Sequence, residues 1–372
     1  MLVCMKNLKC GSCGQAMKKN GYTSSGKQRW RCFTCRVSRT VIYQTRRAYF
    51  TQFIDWLTSK TEQASMKGKG RTFRRHTSQF WQYWPIPRQA ASPSDVVFCD
   101  GIYLKRRLVV LIARGREYVS GWYLARSENT YAWESLLQRI PPPIMVVSDG
   151  SNGFASAVNT VWPSTRIQRC LFHVHNQIIR CTTRKPQLQA GQELYALAER
   201  IARRMTASQA QQWVKDYNQW CQTWDEFLKQ KTIINKKSEY THKRLRKARR
   251  AINQLIREGT LFTYIELDPD NQGLYPHTNN MIEGGVNSQL RDMIRWHRGL
   301  PLSKQAKAIF WWCTLHSSKN IDLYEQLDTL PTDETITGFY AQAHEKYEDD
   351  KDMRLWGDQP VWEEFHTGNT LS

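Results

Sequence analysis

The hydrophobic pattern of this chain contains two short apolar runs that each end in Asp-Gly. The first covers residues 96–101 (VVFCDG) and the second covers residues 144–150 (IMVVSDG). Apolar runs of this length, rich in β-branched residues and closed by glycine, are typical of buried strands. Each predicted strand therefore carries one carboxylate, Asp100 or Asp149, at or near its end. Because a buried aspartate is costly unless it is paired or binds a metal ion, the two together predict a divalent-cation site.

A site of this kind needs a third carboxylate, and Glu283 within the sequence TNNMIEGG is the best candidate. Other interpretations stay open. Asp-Gly is ordinary turn chemistry, and Asn280 followed by Glu283 has the spacing of a helix capping box. Glu266, Asp268 and Asp270 also lie near enough along the chain to replace Glu283.

The pattern around the two runs predicts three strands, a helix, a strand, a helix and a last strand. The predicted strands are Val96–Leu104, Arg107–Ala113, Arg116–Ala125, Ile144–Ser148 and Thr165–Leu171, and the predicted helices are Thr130–Ile140 and Ser151–Val161. This order is that of a ribonuclease-H-like fold, which places one aspartate on its first strand and one just after its fourth. We therefore predict an α/β protein with a ribonuclease-H-like catalytic core, whose first part covers residues 95–180.

The stretch that follows this first part has helical periodicity and is strongly basic. Residues 184–258 contain 17 Lys or Arg and seven Asp or Glu, which suits a solvated helical surface or one that follows DNA phosphates. We predict an all-helical insertion at residues 181–270, closed by a strand-like run at 262–267. The second part of the core then covers residues 271–320, with one helix from Glu283 to about Ser317. The DNA-binding candidates of the insertion are Lys243, Arg244, Arg246, Lys247, Arg249 and Arg250.

The N-terminal 42 residues carry four cysteines with the spacing of a structural zinc site. Cys10 and Cys13 form one C-x-x-C pair, and Cys32 and Cys35 form a second pair after eighteen intervening residues. Four thiolates can close a tetrahedral zinc site and leave no open position for catalysis. The alternative, two unrelated redox pairs, lacks the usual βαβ context. We predict a zinc ribbon with one structural Zn²⁺.

Residues 43–84 predict a second basic module with the layout helix, short helix, turn, basic helix. That layout is typical of a helix-turn-helix, in which the last helix contacts DNA. An ordinary helical hairpin with a solvated charged face is the alternative. Prolines then mark a linker at residues 85–94. The DNA-binding candidates of this module are Arg71, Arg74 and Arg75.

The charge of the chain is high and unevenly distributed. The formal net charge is +21 over 372 residues, and residues 1–90 hold 18 Lys or Arg against two Asp or Glu. Such an excess favours an anionic polymer, with nucleic acid as the first candidate. Residues 321–372 form an acidic C-terminal tail. No apolar stretch is long enough to span a membrane and no secretory signal is visible, so we expect a cytoplasmic protein with reduced cysteines.

A Cys-x-x-His motif, Cys170 and His173, follows the last predicted strand. As a zinc pair it is incomplete, because no second pair with suitable spacing follows. A packing role, or a role in orienting active-site groups, is favoured over metal ligation.

Together these motifs resemble those of bacterial insertion-sequence transposases of the Mutator-like group, in the branch with an N-terminal zinc ribbon. The resemblance rests on FCDG at Asp100, SDG at Asp149, CLFH from Cys170 to His173 and NNMIE ending at Glu283, in that order. It covers essentially residues 1–320 and shows no departure at the catalytic positions. It implies a DDE enzyme in which Asp100, Asp149 and Glu283 hold two Mg²⁺ or Mn²⁺ ions. Hard divalent ions of this kind take carboxylate oxygens, and a pair of them can drive an in-line phosphoryl displacement.

The resemblance also implies partners and a location. The partner is double-stranded DNA, namely the inverted-repeat ends of the mobile element and the target DNA, and the enzyme works as a homodimer. The location is the bacterial cytoplasm, in association with the nucleoid.

Two rival functions stay open at this point. A non-catalytic DNA-binding regulator explains the basic N-terminus, but not the two aspartates at strand ends. A ribonuclease-H-like nuclease that cuts without joining uses the same metal ions. Short inverted repeats flanking the coding DNA favour the transposase over both.

Overall fold

The computed structural model describes residues 8–10, 13–40, 43–66, 68–87, 94–234, 237–319 and 321–339. Most of the predicted linker (88–93) and most of the predicted acidic tail (340–372) lie outside the described residues. The chain divides into two compact units, residues 1–82 and residues 83–372. None of the described helices is long and apolar enough to cross a membrane.

The first unit begins with a small antiparallel sheet of three strands in the order β1-β2-β3. These strands are Lys18–Tyr22 (β1), Gln28–Arg31 (β2) and Ser38–Thr40 (β3). Its core consists of Cys10, Met17 and Cys32, with a few partly buried neighbours. A hydrophobic core of this size is too small to hold a sheet by itself, so cross-linking by a metal ion is the expected source of its stability.

The helical part of the first unit follows the predicted order, with shorter elements. Helix α1 covers Tyr43–Thr58, a single 3-10 turn covers Gln63–Ser65, and α2 covers Arg71–Thr77. The sequence predicts a basic helix from Arg71 to Trp84, but its α-helical part ends at Thr77 and the chain continues as a 3-10 turn over Ser78–Gln82.

A mixed five-stranded sheet forms the centre of the second unit. Its strands are Val96–Leu104 (β4), Leu108–Arg114 (β5), Val119–Ala125 (β6), Met145–Ser148 (β7) and Arg166–Arg169 (β8), in the spatial order β6-β5-β4-β7-β8. The first three strands are antiparallel, whereas β4, β7 and β8 are parallel. Helices Thr130–Leu137 (α3) and Asn152–Val161 (α4) lie between these strands along the chain. The predicted order of strands and helices is confirmed.

Helices cover both faces of this sheet. On one face, α3 and α4 pack against alternate residues of β4 and β5, including Val97, Cys99 and Val109. On the other face, the helix Leu302–Leu315 (α12) packs against β6 and β4, and Phe310 of that helix meets Trp122 edge to face at 6.1 Å. Both faces of β4 are therefore buried, which explains its nearly continuous apolar sequence.

The predicted insertion is largely but not entirely helical. Helix Leu171–Thr182 (α5) precedes it and lies almost entirely in the predicted first part of the core. The helices within the predicted insertion are Gln189–Ile201 (α6), Ala207–Thr223 (α7), Asp225–Lys229 (α8), Lys243–Arg257 (α9) and Thr263–Leu267 (α10). The prediction of an all-helical insertion is wrong, because Lys231–Ile234 (β9) and Lys237–Tyr240 (β10) form a hairpin. Three β-branched residues in succession in β9 favour a strand over a helix.

The predicted strand at residues 262–267 is also wrong, since this segment forms the short helix α10. Tertiary contacts decide the outcome. The backbone N–H of Tyr264 donates to the side chain of Gln168 at 3.0 Å, and the Tyr264 hydroxyl accepts a hydrogen bond from the backbone N–H of Met205 at 3.0 Å.

The single helix predicted from Glu283 to Ser317 is in fact three segments. A π-helical segment covers Met281–Asn287, followed by α11 (Ser288–Trp296) and α12 (Leu302–Leu315). The break falls at Gly299 and Pro301, because proline has no N–H to continue a helical ladder. A last short helix, α13 (Leu323–Gln326), leads into a 3-10 turn at Leu327–Thr329.

Candidate active site

The sheet brings Asp100 and Asp149 to the same place. Asp100 lies within β4, and Asp149 directly follows the last residue of β7. In the parallel pairing of these strands, Phe98 is opposite Val147. Each aspartate is two residues beyond that pair, so the two carboxylates lie side by side where β7 ends and β4 continues.

The π-helical segment brings Glu283 to these aspartates. On either side of Glu283, the side chain of Asn279 donates to the Cys99 carbonyl at 3.1 Å, and that of Asn287 donates to Asp100 Oδ2 at 2.5 Å. Both asparagines are fully buried. These two bonds fasten the segment to β4 at the site itself, and π-helical turns of this kind often occur at functional sites.

The three carboxylates repel one another. Burial, followed by repulsion from Asp100 and Asp149, raises the pKa of Glu283 to about 7. Burial also raises the pKa of Asp100; the backbone N–H of Gly101 opposes this increase, and the charge of Asp149 adds to it. An excess of negative charge in a partly buried site favours the binding of a cation.

Glu128 is a fourth carboxylate at this site, and sequence reasoning missed it. A Cβ atom on Gly101 would lie 2.0 Å from Glu128 Oε1, so the glutamate side chain occupies the space that any larger residue would fill. Burial, followed by repulsion from Asp100 and Asp149, raises the pKa of Glu128 to about 7. Its only sequence signal is a position just before the Asn129 cap of α3, which is ordinary for an acidic residue.

The oxygens of the site suit a hard cation. Among the described residues, three buried side-chain oxygens at the site have no hydrogen-bond partner: Glu283 Oε1, Asn279 Oδ1 and Asn287 Oδ1. Buried oxygens without partners are costly unless an ion or a water molecule satisfies them. Carboxylate and amide oxygens are ligands of magnesium in proteins, so the donor set fits Mg²⁺ or Mn²⁺.

The other acidic candidates lie in contacts of their own. Glu266 forms an ion pair with Arg166. Asp268 is buried, pairs with Arg204 at 2.9 Å, and accepts backbone N–H bonds from the loop that follows it. Asp270 is exposed. Of the four sequence candidates for the third carboxylate, Glu283 is the one whose pKa Asp100 and Asp149 raise.

Cys170 and His173 lie next to Glu283. Cys170 is the residue before α5, and His173 is in the first turn of that helix. The distance from His173 Nδ1 to Glu283 Oε1 is 3.3 Å, and the backbone N–H of Asn279 donates to the Cys170 sulfur at 3.2 Å. The orienting role of these two residues stays a prediction.

Arg169, which sequence reasoning also missed, is a cation close to Asp149. Its guanidinium group donates to the Ser148 carbonyl at 3.3 Å. It also occupies the space beside Gly150, whose φ of +92° is in the region that favours glycine. Burial lowers the pKa of Arg169, and the charges of Asp149 and Glu283 oppose that decrease. This cation partly balances the carboxylates.

The four predicted zinc ligands lie together in the first unit. The sulfur atoms of Cys10 and Cys35 are 3.3 Å apart, those of Cys13 and Cys32 are 3.4 Å apart, and those of Cys13 and Cys35 are 3.6 Å apart. A tetrahedral zinc ion with Zn–S bonds of about 2.3 Å places its sulfurs about 3.8 Å apart. The cluster therefore fits a zinc ion after a small expansion.

The basic candidates differ in exposure. Arg71, Arg74 and Arg75 of α2 are exposed, as are Lys243, Arg244, Lys247 and Arg250 of α9. The remaining two, Arg246 and Arg249, are half-buried and make internal contacts. Arg246 lies 3.6 Å from the centre of the Tyr240 ring and donates to the Leu228 carbonyl, and Arg249 pairs with Asp225 at 2.8 Å.

Comparison with known proteins finds insertion-sequence transposases that are similar to part of this chain. The transposase for insertion sequence element IS905 of Lactococcus lactis is 29% identical over 100 residues, 23% of this chain and 26% of that protein. The transposase for insertion sequence element IS6120 of Mycolicibacterium smegmatis is 31% identical over 105 residues, and a probable transposase of Corynebacterium diphtheriae is 28% identical over 128 residues. The match to the Mycolicibacterium smegmatis protein covers 24% of this chain and 32% of that protein. The match to the Corynebacterium diphtheriae protein covers 31% of this chain and 37% of that protein.

The family model for "Transposase, Mutator family" matches residues 94–258. The matched stretch includes Asp100, Asp149, Cys170 and His173. The matched stretches span about a quarter to just over a third of the length of the relatives.

Proposed function

We propose that this protein is a DDE transposase that binds the inverted-repeat ends of its own mobile element and catalyses metal-dependent DNA cleavage and strand transfer. The observation that carries the proposal is the convergence of Asp100, Asp149 and Glu283 from three separate parts of the chain. Two of these residues lie within the stretch that matches the Mutator-family model, and the third reaches them through the π-helical segment.

The catalytic core is proposed to be ribonuclease-H-like. In support, three antiparallel strands are followed by two parallel strands, and the parallel strands are added on the side of the first strand. Asp100 lies on that first strand and Asp149 just after the fourth, as expected for this fold. Helices on both faces of the sheet agree with it as well.

The carboxylates are proposed to hold two Mg²⁺ or Mn²⁺ ions. When bound, such ions lower the pKa of an attacking water or 3′-hydroxyl and stabilise the leaving oxygen. Two buried asparagines hold the carboxylates in position for such ions. Asn287 fixes the orientation of Asp100 through a hydrogen bond, and Asn279 fastens the segment that carries Glu283.

The substrate is proposed to be double-stranded DNA, bound by a homodimer in the bacterial cytoplasm at the nucleoid. The exposed arginines of α2 and the exposed basic face of α9 supply positive charge on both units. Phosphate contacts of this kind provide most of the sequence-independent affinity for DNA.

The test is a cleavage and joining assay on a DNA fragment that carries the element's ends. Asp100→Asn, Asp149→Asn and Glu283→Gln should each lower cleavage by about two to three orders of magnitude or more, because several kcal/mol of transition-state stabilisation depends on the bound ions. Binding to the ends should persist. Asp270→Asn, an exposed acid outside the cluster, is the matched control and should cleave normally. Near-normal cleavage by any of the three variants removes that residue from the site, and cleavage without joining identifies a nuclease instead.

A further inference from the structure

We propose that Cys170, His173 and Glu283 form a second metal site, for a transition-metal cation of the zinc class, beside the proposed magnesium site. Their ligand atoms, a sulfur, a ring nitrogen and a carboxylate oxygen, all lie within 4.8 Å of one another. Three protein ligands with an open fourth position form the usual ligand set of an accessible zinc ion.

The geometry of two of these ligands already matches bound zinc. His173 Nδ1 and Glu283 Oε1 are 3.3 Å apart, and two light ligand atoms of a tetrahedral zinc ion, each about 2.0 Å from the metal, are separated by about 3.3 Å. Both atoms are buried and neither has a hydrogen-bond partner among the described residues. One cation between them would satisfy both.

Two contacts of Cys170 favour a thiolate, although burial raises the pKa of its thiol. Its sulfur accepts a hydrogen bond from the backbone N–H of Asn279 at 3.2 Å, and Cys170 is the N-cap residue of the twelve-residue helix α5. Hydrogen bonds to a ligand atom and a helix N-terminus both stabilise a thiolate. His173 follows one turn later, so the same helix fixes two of the three ligands.

The chemistry of the ligands separates this site from the magnesium site. Thiolate and imidazole select zinc and similar ions, whereas magnesium requires oxygen ligands. The sequence alone offers only an incomplete pair, Cys170 and His173. The fold supplies the third ligand from a segment more than 100 residues further along the chain.

A consequence follows for regulation, and it rests on the proposed transposase function. Glu283 belongs to both sites, so a zinc ion bound to Oε1 competes with magnesium for the same side chain. Excess zinc is therefore expected to inhibit magnesium-dependent cleavage.

The first test is the zinc content of the full-length protein after equilibration with Zn²⁺ and removal of free metal. Wild type should hold about two ions per chain, one in the four-cysteine cluster and one here. Cys170→Ser and His173→Ala should each hold about one. The matched controls lie on the same helix: Cys181→Ser, and His175→Ala, whose native side chain pairs with Glu199 at 2.9 Å. Both controls should keep two.

One zinc ion per wild-type chain, or unchanged content in both site variants, overturns the proposal. If Cys170→Ser fails to fold, as judged by circular dichroism, His173→Ala and Glu283→Gln carry the test. Glu283→Gln keeps the shape of the side chain and should weaken Co²⁺ binding at this site at least about tenfold, measured by cobalt–thiolate absorption. An unchanged Co²⁺ titration removes Glu283 from the ligand set and overturns the proposed site.

These measurements use the metal alone and no DNA. A missing second zinc ion therefore overturns this site and leaves the cleavage assay of Asp100→Asn and Asp149→Asn unaffected. Conversely, normal cleavage by those variants overturns the transposase mechanism and leaves the zinc count unchanged.

Discussion

Two glutamates with a raised pKa reach the paired aspartates from opposite faces of the central sheet. Successive residues of a strand face opposite sides, so Asp100 faces the π-helical segment that carries Glu283. Gly101 faces the side on which α3 packs, where Glu128 passes over it. Gly101 has no positive φ. Its role at this position is therefore to leave space for Glu128 rather than to permit an unusual backbone conformation.

The pH dependence of stability should report on these two residues. The pKa of each rises from its ordinary value of 4.5 to about 7 on folding, so the folded chain binds these protons more tightly. Their stabilising contribution is complete below about pH 4.5 and is lost as the pH rises through about 7. Glu128→Gln and Glu283→Gln cannot ionise. In chelator, each should match wild type near pH 5 and exceed its free energy of unfolding near pH 8, by about 1 kcal/mol after solvent screening.

The measurement is denaturant unfolding of the second unit, followed by tryptophan fluorescence at both pH values. Glu134→Gln on α3 is the matched control, because that carboxylate lies outside the cluster, and it should follow wild type at each pH. A wild-type advantage near pH 8 in the presence of chelator would contradict the mutual repulsion described here.

At the scale of elements, the small sheet of β1, β2 and β3 depends on its cysteines. Every residue of β1 is exposed, so burial contributes little to its stability. Cys32→Ser should therefore prevent zinc binding by the four-cysteine cluster and unfold the first 40 or so residues, because metal binding supplies most of the folding free energy of such a unit. Limited proteolysis and elemental analysis check this. Cys221→Ser, on α7, is the control. A native zinc content or a protected N-terminus in Cys32→Ser would show that the cluster is not a closed metal site.

The basic helix α9 has exposed basic residues, which are candidates for DNA contact, and half-buried ones, which make contacts within the protein. Lys247→Gln combined with Arg250→Gln should lower affinity for all DNA and reduce the slope of log K against log salt by about two, since each phosphate contact contributes about one. Stability should not change. Arg249→Gln should instead lower stability, by about 1 kcal/mol, because Arg249 is half-buried against Asp225. Binding titrations across a salt series, with parallel unfolding curves, distinguish the two classes. Equal salt slopes for wild type and the double variant would show that Lys247 and Arg250 do not contact DNA phosphates.

For the whole molecule, the division into two units locates where end recognition should reside. The second unit begins at Tyr83, and the residues after it belong to that unit: Trp84 donates to Asp333 at 2.7 Å, and the Pro85 carbonyl accepts from Trp122 at 3.2 Å. A chain that starts at Tyr83 should therefore keep these contacts, whereas one that starts after residue 90 loses them. The predicted linker at 85–94 is thus anchored at its beginning.

Removing residues 1–82 should abolish preference for the element's ends and leave weak, salt-sensitive binding to any DNA. Base readout needs a helix or ribbon in a groove, while phosphate contact needs only charge. Titration of end DNA and scrambled DNA across a salt series measures this, with the shorter chain that begins after residue 90 as a comparison for stability. A wide remaining preference for the ends would place recognition in the second unit.

The sequence by itself determined the elements whose signals are local. The apolar runs at β4 and β7, the aspartates at their ends and the two C-x-x-C pairs depend on periodicity and spacing within a few residues. The order of strands and helices in the central sheet follows from the same signals. Where the sequence-based predictions failed, as at α10 and at the break before α12, a contact or a proline competed with the periodic pattern.

Only the tertiary structure decided which distant residues meet. The sequence favoured Glu283 as the third carboxylate but left Glu266, Asp268 and Asp270 open as replacements, because nothing local shows which of them faces Asp100. Glu128 gave no signal, since its role depends on the space above Gly101 in another strand. Cys170 and His173 remained an incomplete pair until the fold placed Glu283 beside them at 3.3 Å. Burial and charge repulsion act through space, so their effects on pKa emerge only when the chain has folded.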